Sequence, residues 1–350
     1  MSLLRGTDPS VYTSVDIYAV QRDRLFPRTW HFAADVWRLP QPSWAVPFTL
    51  LGGCLDEPLV LTRDADTLRA LGNVCTHRGA VMVAEEGSCK RIRCPYHGRR
   101  FSLDGQFEAA PGFEDCGLPR EEDHLQEAHI GRFGPWLFVS LDPAMSLDEL
   151  VGDLREIWSF VDWSRFRFDP ERSTHYMIEA NWALYVDNYL EGMHIPYVHP
   201  GLASAVELGT YEVETHPWGA LQIGHAREGQ PHFELPEGHR HAGQRVAAYY
   251  AWLFPGTMLN LYPWGLSINA IQPVGPGRTR VSYLTYVSDE SMLGEGAGGD
   301  VHQVEREDQE VVHRAMRGMR SRFARPIQYA PGHEDALRHF HELVARMLQA

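Results

Sequence analysis

The sequence predicts an α+β protein: a small antiparallel β domain, then a larger domain in which an antiparallel sheet is covered by helices. Three observations lead there. From about Trp30 to Pro143, short strand-like runs are separated by turn residues. Beyond Pro143 the pattern changes: Leu147–Phe160, Ala180–Met193, Val301–Arg325 and Glu334–Leu348 read as helices, and Tyr211–Pro276 is strand-rich. The length, 350 residues, suits two domains or one large one. The expected boundaries are 1–29 for an N-terminal segment packing on the second domain, 30–145 for the β domain and 146–350 for the second domain.

Within the β domain, Leu59–Thr62 and Thr67–Leu71 flank Arg-Asp-Ala-Asp, a hairpin pattern. Asp104-Gly105, between Arg100-Phe-Ser-Leu and Gln-Phe, predicts a second hairpin with a type I′ turn. Trp136–Ser140 is another strand. In the second domain Ser146 stands where an N-cap belongs, and Val281–Val287 adds a strand. The glycine-rich stretch Gly294–Asp300 superficially resembles a dinucleotide motif; without the downstream acid it reads as a flexible loop. No internal repeat is evident.

Composition narrows the function. The chain is 44% hydrophobic and 11% aromatic, enough for a sizeable core, and its formal charge is −14. It has no basic stripe of the kind that neutralises phosphates; Lys90-Arg-Ile-Arg93 is short and reads as a solvated strand edge, so nucleic acid is not an expected partner. No apolar run approaches the ~18–20 residues of a membrane span. The N-terminus lacks the apolar core of a secretory signal, and a cytoplasmic location is expected.

Two short motifs carry chemistry. Cys75-Thr-His77 and Cys94-Pro-Tyr-His97 each set a thiol beside an imidazole, with sixteen residues between them. Two thiolates and two imidazoles on paired loops are what a Rieske [2Fe–2S] cluster needs, sulfur holding one iron and nitrogen the other. The other three of the five cysteines, Cys54, Cys89 and Cys116, have no partner at ligand spacing and read as small hydrophobes. A Cys2His2 set also suits structural zinc, and a cluster alone would suit a non-catalytic electron carrier.

A second site follows in Asp187-Asn-Tyr-Leu-Glu191-Gly-Met-His194-Ile-Pro-Tyr-Val-His199-Pro200. Histidines five apart are about 140° off register on an unbroken helix. Pro196 disfavours helix for Ile195, so the helix is expected to end near His194 and the next turn to swing His199 back. Two histidines and a carboxylate make the facial triad of non-haem Fe(II) oxygenases. In Val301–Arg325, Asp308 shares a stripe with Val311, Val312, Ala315 and Met319, and an aspartate on an apolar seam is costly unless paired or metal-bound. Asp308 is the expected third ligand and Glu305 the reserve; the competing reading of Asp308 is a first-turn acid favoured by the helix dipole.

These stretches, with Asn181-Trp182, Asp187-Asn188-Tyr189-Leu190-Glu191-Gly192, His194-Ile-Pro-Tyr-Val-His199-Pro-Gly201 and the Glu307-Asp308 pair followed by Arg317-Gly-Met-Arg-Ser321, resemble Rieske non-haem iron oxygenase α subunits. The likeness runs over roughly residues 25 to 348 and is greatest to the choline, betaine and carnitine branch. It implies a helix-grip (START-like) catalytic domain, a cluster on Cys75, His77, Cys94 and His97, and a mononuclear iron on His194, His199 and Asp308. It implies catalytic roles for Asn188 and Glu191, the latter as an electron-transfer bridge between subunits of a homotrimer. It also implies a separate NAD(P)H-dependent flavin/iron–sulfur reductase or ferredoxin. Respiratory Rieske proteins carry a disulfide between the cluster loops; His-Arg-Gly-Ala80 and His-Gly-Arg-Arg100 have no cysteine for one, so the resemblance is to the lower-potential class. Arg99 and Met193 depart from the family, standing where tryptophan and tyrosine are usual.

The expected function is therefore a mono- or dioxygenase that uses O2 to hydroxylate a small organic substrate, with N-demethylation or C–N cleavage as possible outcomes. Tyr249, Tyr250, Trp252, Phe254, Tyr262 and Trp264 supply aromatics for a cation–π cage, which points to a quaternary amine, or for an aromatic substrate, if they are not simply core.

Overall fold

The structure, a computed structural model, describes residues 6–349; residues 1–5 of the expected N-terminal segment, and Ala350, lie outside the described residues. The chain divides into two compact units, Pro27–Leu147 and Met1–Phe26 with Asp148–Ala350.

The smaller unit is antiparallel β throughout. Its strands are β1 (His31–Asp35), β2 (Trp44–Leu50), β3 (Glu57–Asp64), β4 (Thr67–Gly72), β5 (Gly87–Ser88), β6 (Ile92–Arg93), β7 (Arg100–Phe101), β8 (Phe107–Ala109), β9 (Glu127–Phe133) and β10 (Trp136–Ser140). Seven form one sheet in the order β1-β10-β9-β4-β3-β2-β5, and β6-β7-β8 form a second. Val60, Leu71, Ile92, Phe101 and Leu103 pack into one buried cluster with Cys75 and Cys94, which anchors the cysteine loops to the core. The β7–β8 hairpin differs from expectation. Gly105 N–H donates to Ser102 O and Ser102 N–H to Gln106 O, and of the turn residues only Gly105 has a positive φ, +83°. A type I′ turn needs two left-handed residues, so the connection is a three-residue loop closed by a left-handed glycine. Cys116 is exposed and so is not the small hydrophobe expected of it.

In the larger unit the helices are α1 (Ser10–Thr13), α2 (Val15–Arg24), α3 (Leu147–Val151, beginning on the last residue of the smaller unit), α4 (Leu154–Ile157), α5 (Trp182–Tyr189), α6 (Ile195–Val198), α7 (Pro200–Ala205), α8 (Val301–Met319) and α9 (Asp335–Gln349). The strands are β11 (Arg167–Ile178), β12 (Glu212–His216), β13 (Gly219–His225), β14 (Val246–Leu253), β15 (Thr257–Tyr262), β16 (Gly265–Gly275) and β17 (Arg278–Val287). They form one antiparallel sheet, β11-β17-β16-β15-β14-β13-β12. Helix α5 packs on α8 and on β16, and α9 on β12 and β13. Trp252 of β14 and Trp182 of α5 both meet Phe340 of α9 edge-on, which ties sheet and helices into one core.

Several expected elements change. The helix over Leu147–Phe160 breaks into α3 and α4 at Gly152, whose φ of +50° no right-handed helix accommodates. The long edge strand β11 was not foreseen; its mixed burial gives no regular alternation. Gly294–Asp300 is not a loose loop: Gly296–Gly298 forms a 3₁₀ turn whose Gly298 carbonyl accepts a 3.2 Å hydrogen bond from Trp264 Nε1, and Asp300 then caps α8. No described helix is long and apolar enough to cross a membrane.

Candidate functional site

The two cysteine loops are built alike. Cys75 N–H donates to Ala80 O at 2.9 Å and Gly79 N–H to Cys75 O at 2.9 Å; Cys94 N–H donates to Arg99 O at 2.8 Å and Gly98 N–H to Cys94 O at 3.0 Å. Gly79 and Gly98 close the two loops with φ of +71° and +77°. The loops bring the Cys75 and Cys94 thiols within hydrogen-bonding reach of one another and the His77 and His97 ring centroids to 4.8 Å. Burial, partly offset by the His77 and Arg78 amides, raises the Cys75 thiol. Burial would raise Cys94 too, but the Tyr96 and His97 amides, the Cys75 thiol and the Arg99 charge hold it below its usual range. Burial, then the positive charges of His97, Arg78 and Arg99, lowers His77 and favours the neutral, ligating imidazole. Two sulfurs with amide donors aimed at them and two facing imidazoles fit a Rieske cluster.

Arg99 is buried beneath this loop. Its guanidinium pairs with Asp123 at 2.5 Å, both side chains being about 5–6% exposed, and lies 4.8 Å over the Phe107 ring. The position therefore keeps a planar, stacking group but adds a charge.

In the larger unit the second set of donors comes from α5 to α8. Asn181 caps α5, its Oδ1 accepting from Ala183 N–H at 2.9 Å. The helix ends at Tyr189, five residues before the expected point, and Pro196 does not end it. Pro196 lies in the first turn of the separate short helix α6, where its missing N–H costs nothing. His194 thus precedes α6 and His199 follows it, and one short turn brings both imidazoles to one side. Ligand atoms of His194, His199 and Asp308 all lie within 4.8 Å of one another. Asp308 Oδ1 is 2.9 Å from His199 Nε2 and 3.7 Å from His194 Nε2. Asn188 Nδ2 donates to the same oxygen at 2.5 Å.

The outward nitrogens are held by glutamates: His194 Nδ1 lies 2.6 Å from Glu191 Oε1, and His199 Nδ1 lies 2.8 Å from Glu307 Oε2. Each carboxylate fixes the tautomer that leaves Nε2 free for a metal. Burial pulls His199 down, but Asp308 and then Glu307 outweigh it, and its proton affinity ends above the usual value. Two nitrogens and one carboxylate oxygen, with a pocket on the open side, fit a facial-triad iron.

The reserve ligand Glu305 is turned elsewhere. The buried stripe of α8 is Glu305, Asp308, Val312 and Met316, rather than one with Val311, Ala315 and Met319. Glu305 accepts from the Tyr185 and Tyr283 hydroxyls at Oε2 and from Asn269 Nδ2 at Oε1 (3.1 Å). Burial, then the Asp308 charge, pushes it up to about 8 against these three donors.

Register across the sheet builds the pocket floor. Gln222, Tyr250, Asn260 and Ser267 are successive cross-strand partners, as are Met258, Asn269 and Tyr283 in the next row. Tyr189 OH donates to Asn260 Oδ1 at 2.7 Å, and Gln222 Nε2 donates to Tyr189 O at 2.7 Å. The pocket wall includes Tyr189, Tyr211, Tyr250 and Tyr262, with His194, His199, Asp308 and Glu305 also facing in. Of the six aromatics singled out in sequence, Tyr250 and Tyr262 line the pocket; Tyr249, Trp252 and Phe254 are core, and Trp264 stacks behind Tyr262 at 5.2 Å. Met193 is 45% exposed and lies outside the lining. Glu307, Asn260 and Asn269 were missed. The signal for the last two was present: Leu-Asn260-Leu and Ile-Asn269-Ala place lone amides within apolar strands.

The chain is an oxidoreductase of the Rieske non-haem iron oxygenase class, which carries a [2Fe–2S] cluster and a mononuclear iron: it belongs to the family described as ring hydroxylating alpha subunit (catalytic domain), matched over residues 166–350, and also matches the Rieske [2Fe-2S] domain over 48–120. A carrier without a catalytic domain, and a structural zinc protein, are thereby set aside. Among its relatives are the carnitine monooxygenase oxygenase subunit of Escherichia coli K12, 28% identical over 97% of this chain and 92% of that protein, and the chloroplastic choline monooxygenase of Beta vulgaris, 27% identical over 98% and 77%. The fold is shared with a quaternary ammonium Rieske monooxygenase solved with L-carnitine (TM-score 0.79, 24% identity, 99% and 96% covered). It is also shared with naphthalene 1,2-dioxygenase from Rhodococcus sp. bound to indole (TM-score 0.75, 21% identity, 98% and 94% covered).

Proposed function

We propose that this chain is the oxygenase component for a small substrate with a quaternary ammonium group. Cys75, His77, Cys94 and His97 hold the cluster, and His194, His199 and Asp308 hold the mononuclear iron. When bound, the two centres supply electrons and a site for O2 activation. The chain's own residues do the rest. Glu191 and Glu307 orient the histidines, Asn188 fixes the Asp308 oxygen, and the tyrosine walls exclude water.

The observation that carries the substrate reading is the pocket wall of Tyr189, Tyr211, Tyr250 and Tyr262 beside the three metal donors, since ring faces attract alkylated ammonium ions. A wholly apolar aromatic substrate fits less well, because it would lie against the buried Glu305 carboxyl that lines the pocket and offer it no charge. The names of the choline and carnitine relatives support the same choice.

Electrons come from a separate flavin/iron–sulfur reductase or ferredoxin, and the working form is a cytoplasmic homotrimer in which Glu191 bridges to a neighbouring subunit's cluster. The test is a screen of choline, L-carnitine, γ-butyrobetaine, indole and naphthalene for oxidation of the prereduced enzyme by O2. Quaternary amines should speed cluster oxidation and the arenes should not; stimulation by the arenes alone sinks the substrate reading.

A further inference from the structure

Glu305 is a buried carboxylate for which the chemistry so far has no use. It lies 5% exposed on the apolar face of α8 and lines the pocket, and among the described residues no lysine, arginine or histidine forms an ion pair with it. Its three donors are two hydroxyls and an amide, which solvate a negative charge without cancelling it. A carboxylate offers about four lone-pair positions, so one on Oε1 is left for the pocket. Glu191, Glu307 and Asp308 stand at the same site, and once Glu305, pushed up to about 8, is ionised, a divalent iron offsets only two of these four acids. A pocket with surplus negative charge and ring-lined walls lacks one thing, a positive ligand.

We propose that Glu305 is the specificity-determining residue of this pocket: its carboxylate is the counter-charge for the cationic nitrogen of the substrate, held in place by Tyr185, Tyr283 and Asn269. This rests on the ammonium reading above and adds to it. The tyrosine faces favour an alkylated cation by shape and quadrupole, whereas Glu305 separates the cation from a neutral molecule of the same shape. Leaving the carboxylate unpaired is what rejects the neutral analogue. The groups facing Glu305 are Tyr185 from α5, Asn269 and Tyr283 from the sheet, and Asp308 on its own helix, with Tyr189 and Tyr262 further off; burial first, then Glu305 for Tyr185 and Tyr283 and the neighbouring tyrosines for Tyr189 and Tyr262, holds all four tyrosines well above their usual range, so they remain neutral donors.

The test compares choline with 3,3-dimethylbutan-1-ol, which has carbon in place of nitrogen, by calorimetry on the full-length, metal-loaded enzyme at pH 8.5. Choline should bind the unmodified enzyme at least about tenfold tighter than the alcohol. Glu305→Gln should weaken choline about tenfold and leave the alcohol within about twofold. Unchanged choline affinity, or equal loss for both ligands, overturns the assignment of Glu305 while leaving the ammonium reading intact. Equal binding of the two ligands by the unmodified enzyme overturns both. Should Glu305→Gln not fold, choline affinity of the unmodified enzyme should rise with pH above neutrality while the alcohol stays flat, because burial, then the Asp308 charge, raises Glu305 well above the usual carboxylate range; a choline profile flat up to pH 9 overturns the proposal.

Discussion

Glu191 Oε1 lies 2.6 Å from His194 Nδ1, and by holding that nitrogen it turns His194 Nε2 toward Asp308 Oδ1, 3.7 Å away. The other oxygen of Glu191 accepts from the Met193 and His194 amides, so the carboxylate also shapes the bend between α5 and α6. His199 repeats the arrangement with Glu307, but from α8 rather than from its own loop.

Replacing Glu191 with glutamine keeps a hydrogen-bond acceptor for the bend and removes the charge. Both metals should stay bound, while the reduced cluster should no longer discharge when substrate and O2 are added. Rapid single-turnover oxidation of this variant, followed at the cluster absorption, would remove Glu191 from the electron path.

Glu307→Ala frees the outward nitrogen of His199 without touching a proposed ligand. Carboxylates in that position typically contribute about 10–100-fold to metal affinity. Mononuclear iron should therefore be lost to a chelator at correspondingly lower concentration, with the cluster spectrum unchanged. Equal chelator resistance would contradict an orienting role.

Asp308→Ala should leave about two irons per chain of the expected three, with the Rieske visible spectrum intact. Glu305→Gln should keep all three, because Glu305 is bound to Tyr185, Tyr283 and Asn269 rather than facing the histidines. Iron analysis of the two variants side by side separates ligand from reserve.

Arg99→Leu removes the buried partner of Asp123 and leaves this carboxylate the Arg120 amide (2.8 Å) and the more distant, exposed Arg120 guanidinium (3.4 Å). Breaking a buried pair from one side costs about 3–5 kcal/mol. The β domain should lose stability on that scale, and the double variant Arg99→Leu, Asp123→Leu should regain most of it. Denaturation followed by cluster bleaching measures both.

Burial, reinforced by the charge of His339, lowers His216 from 6.5 to about 4. Its folded value lies below its unfolded value, so the unfolded chain binds the proton more readily as pH falls through this window. Stability is full above about 6.5 and is lost progressively down to about 4, by at most about 3 kcal/mol. His216→Gln removes this titration, and the gap in unfolding free energy between the two proteins should change with that sign between pH 7 and 4.

The clustering of the proposed donors of both metal centres was legible because sequence-local rules place them. The Cys75 and Cys94 loops carry their own glycines, and Asp308 betrays itself as an acid among apolar helix positions. Pro196 was read with the wrong sign, since proline ends one helix or begins the next depending on where the preceding helix has already stopped. Glu307 had no role that spacing could assign: it sits beside Asp308 and looks like a solvated helix residue until α8 is docked against α5 and α6.

By itself the sequence determined the class of protein, because ligand type and spacing are properties of short segments with few conformations. The tertiary structure decided how those ligands are aimed and what surrounds them. Which nitrogen of His194 and His199 faces Asp308, and which of six aromatics reaches the pocket, depend on strand register and helix phase, where a shift of one residue turns a side chain to the opposite face.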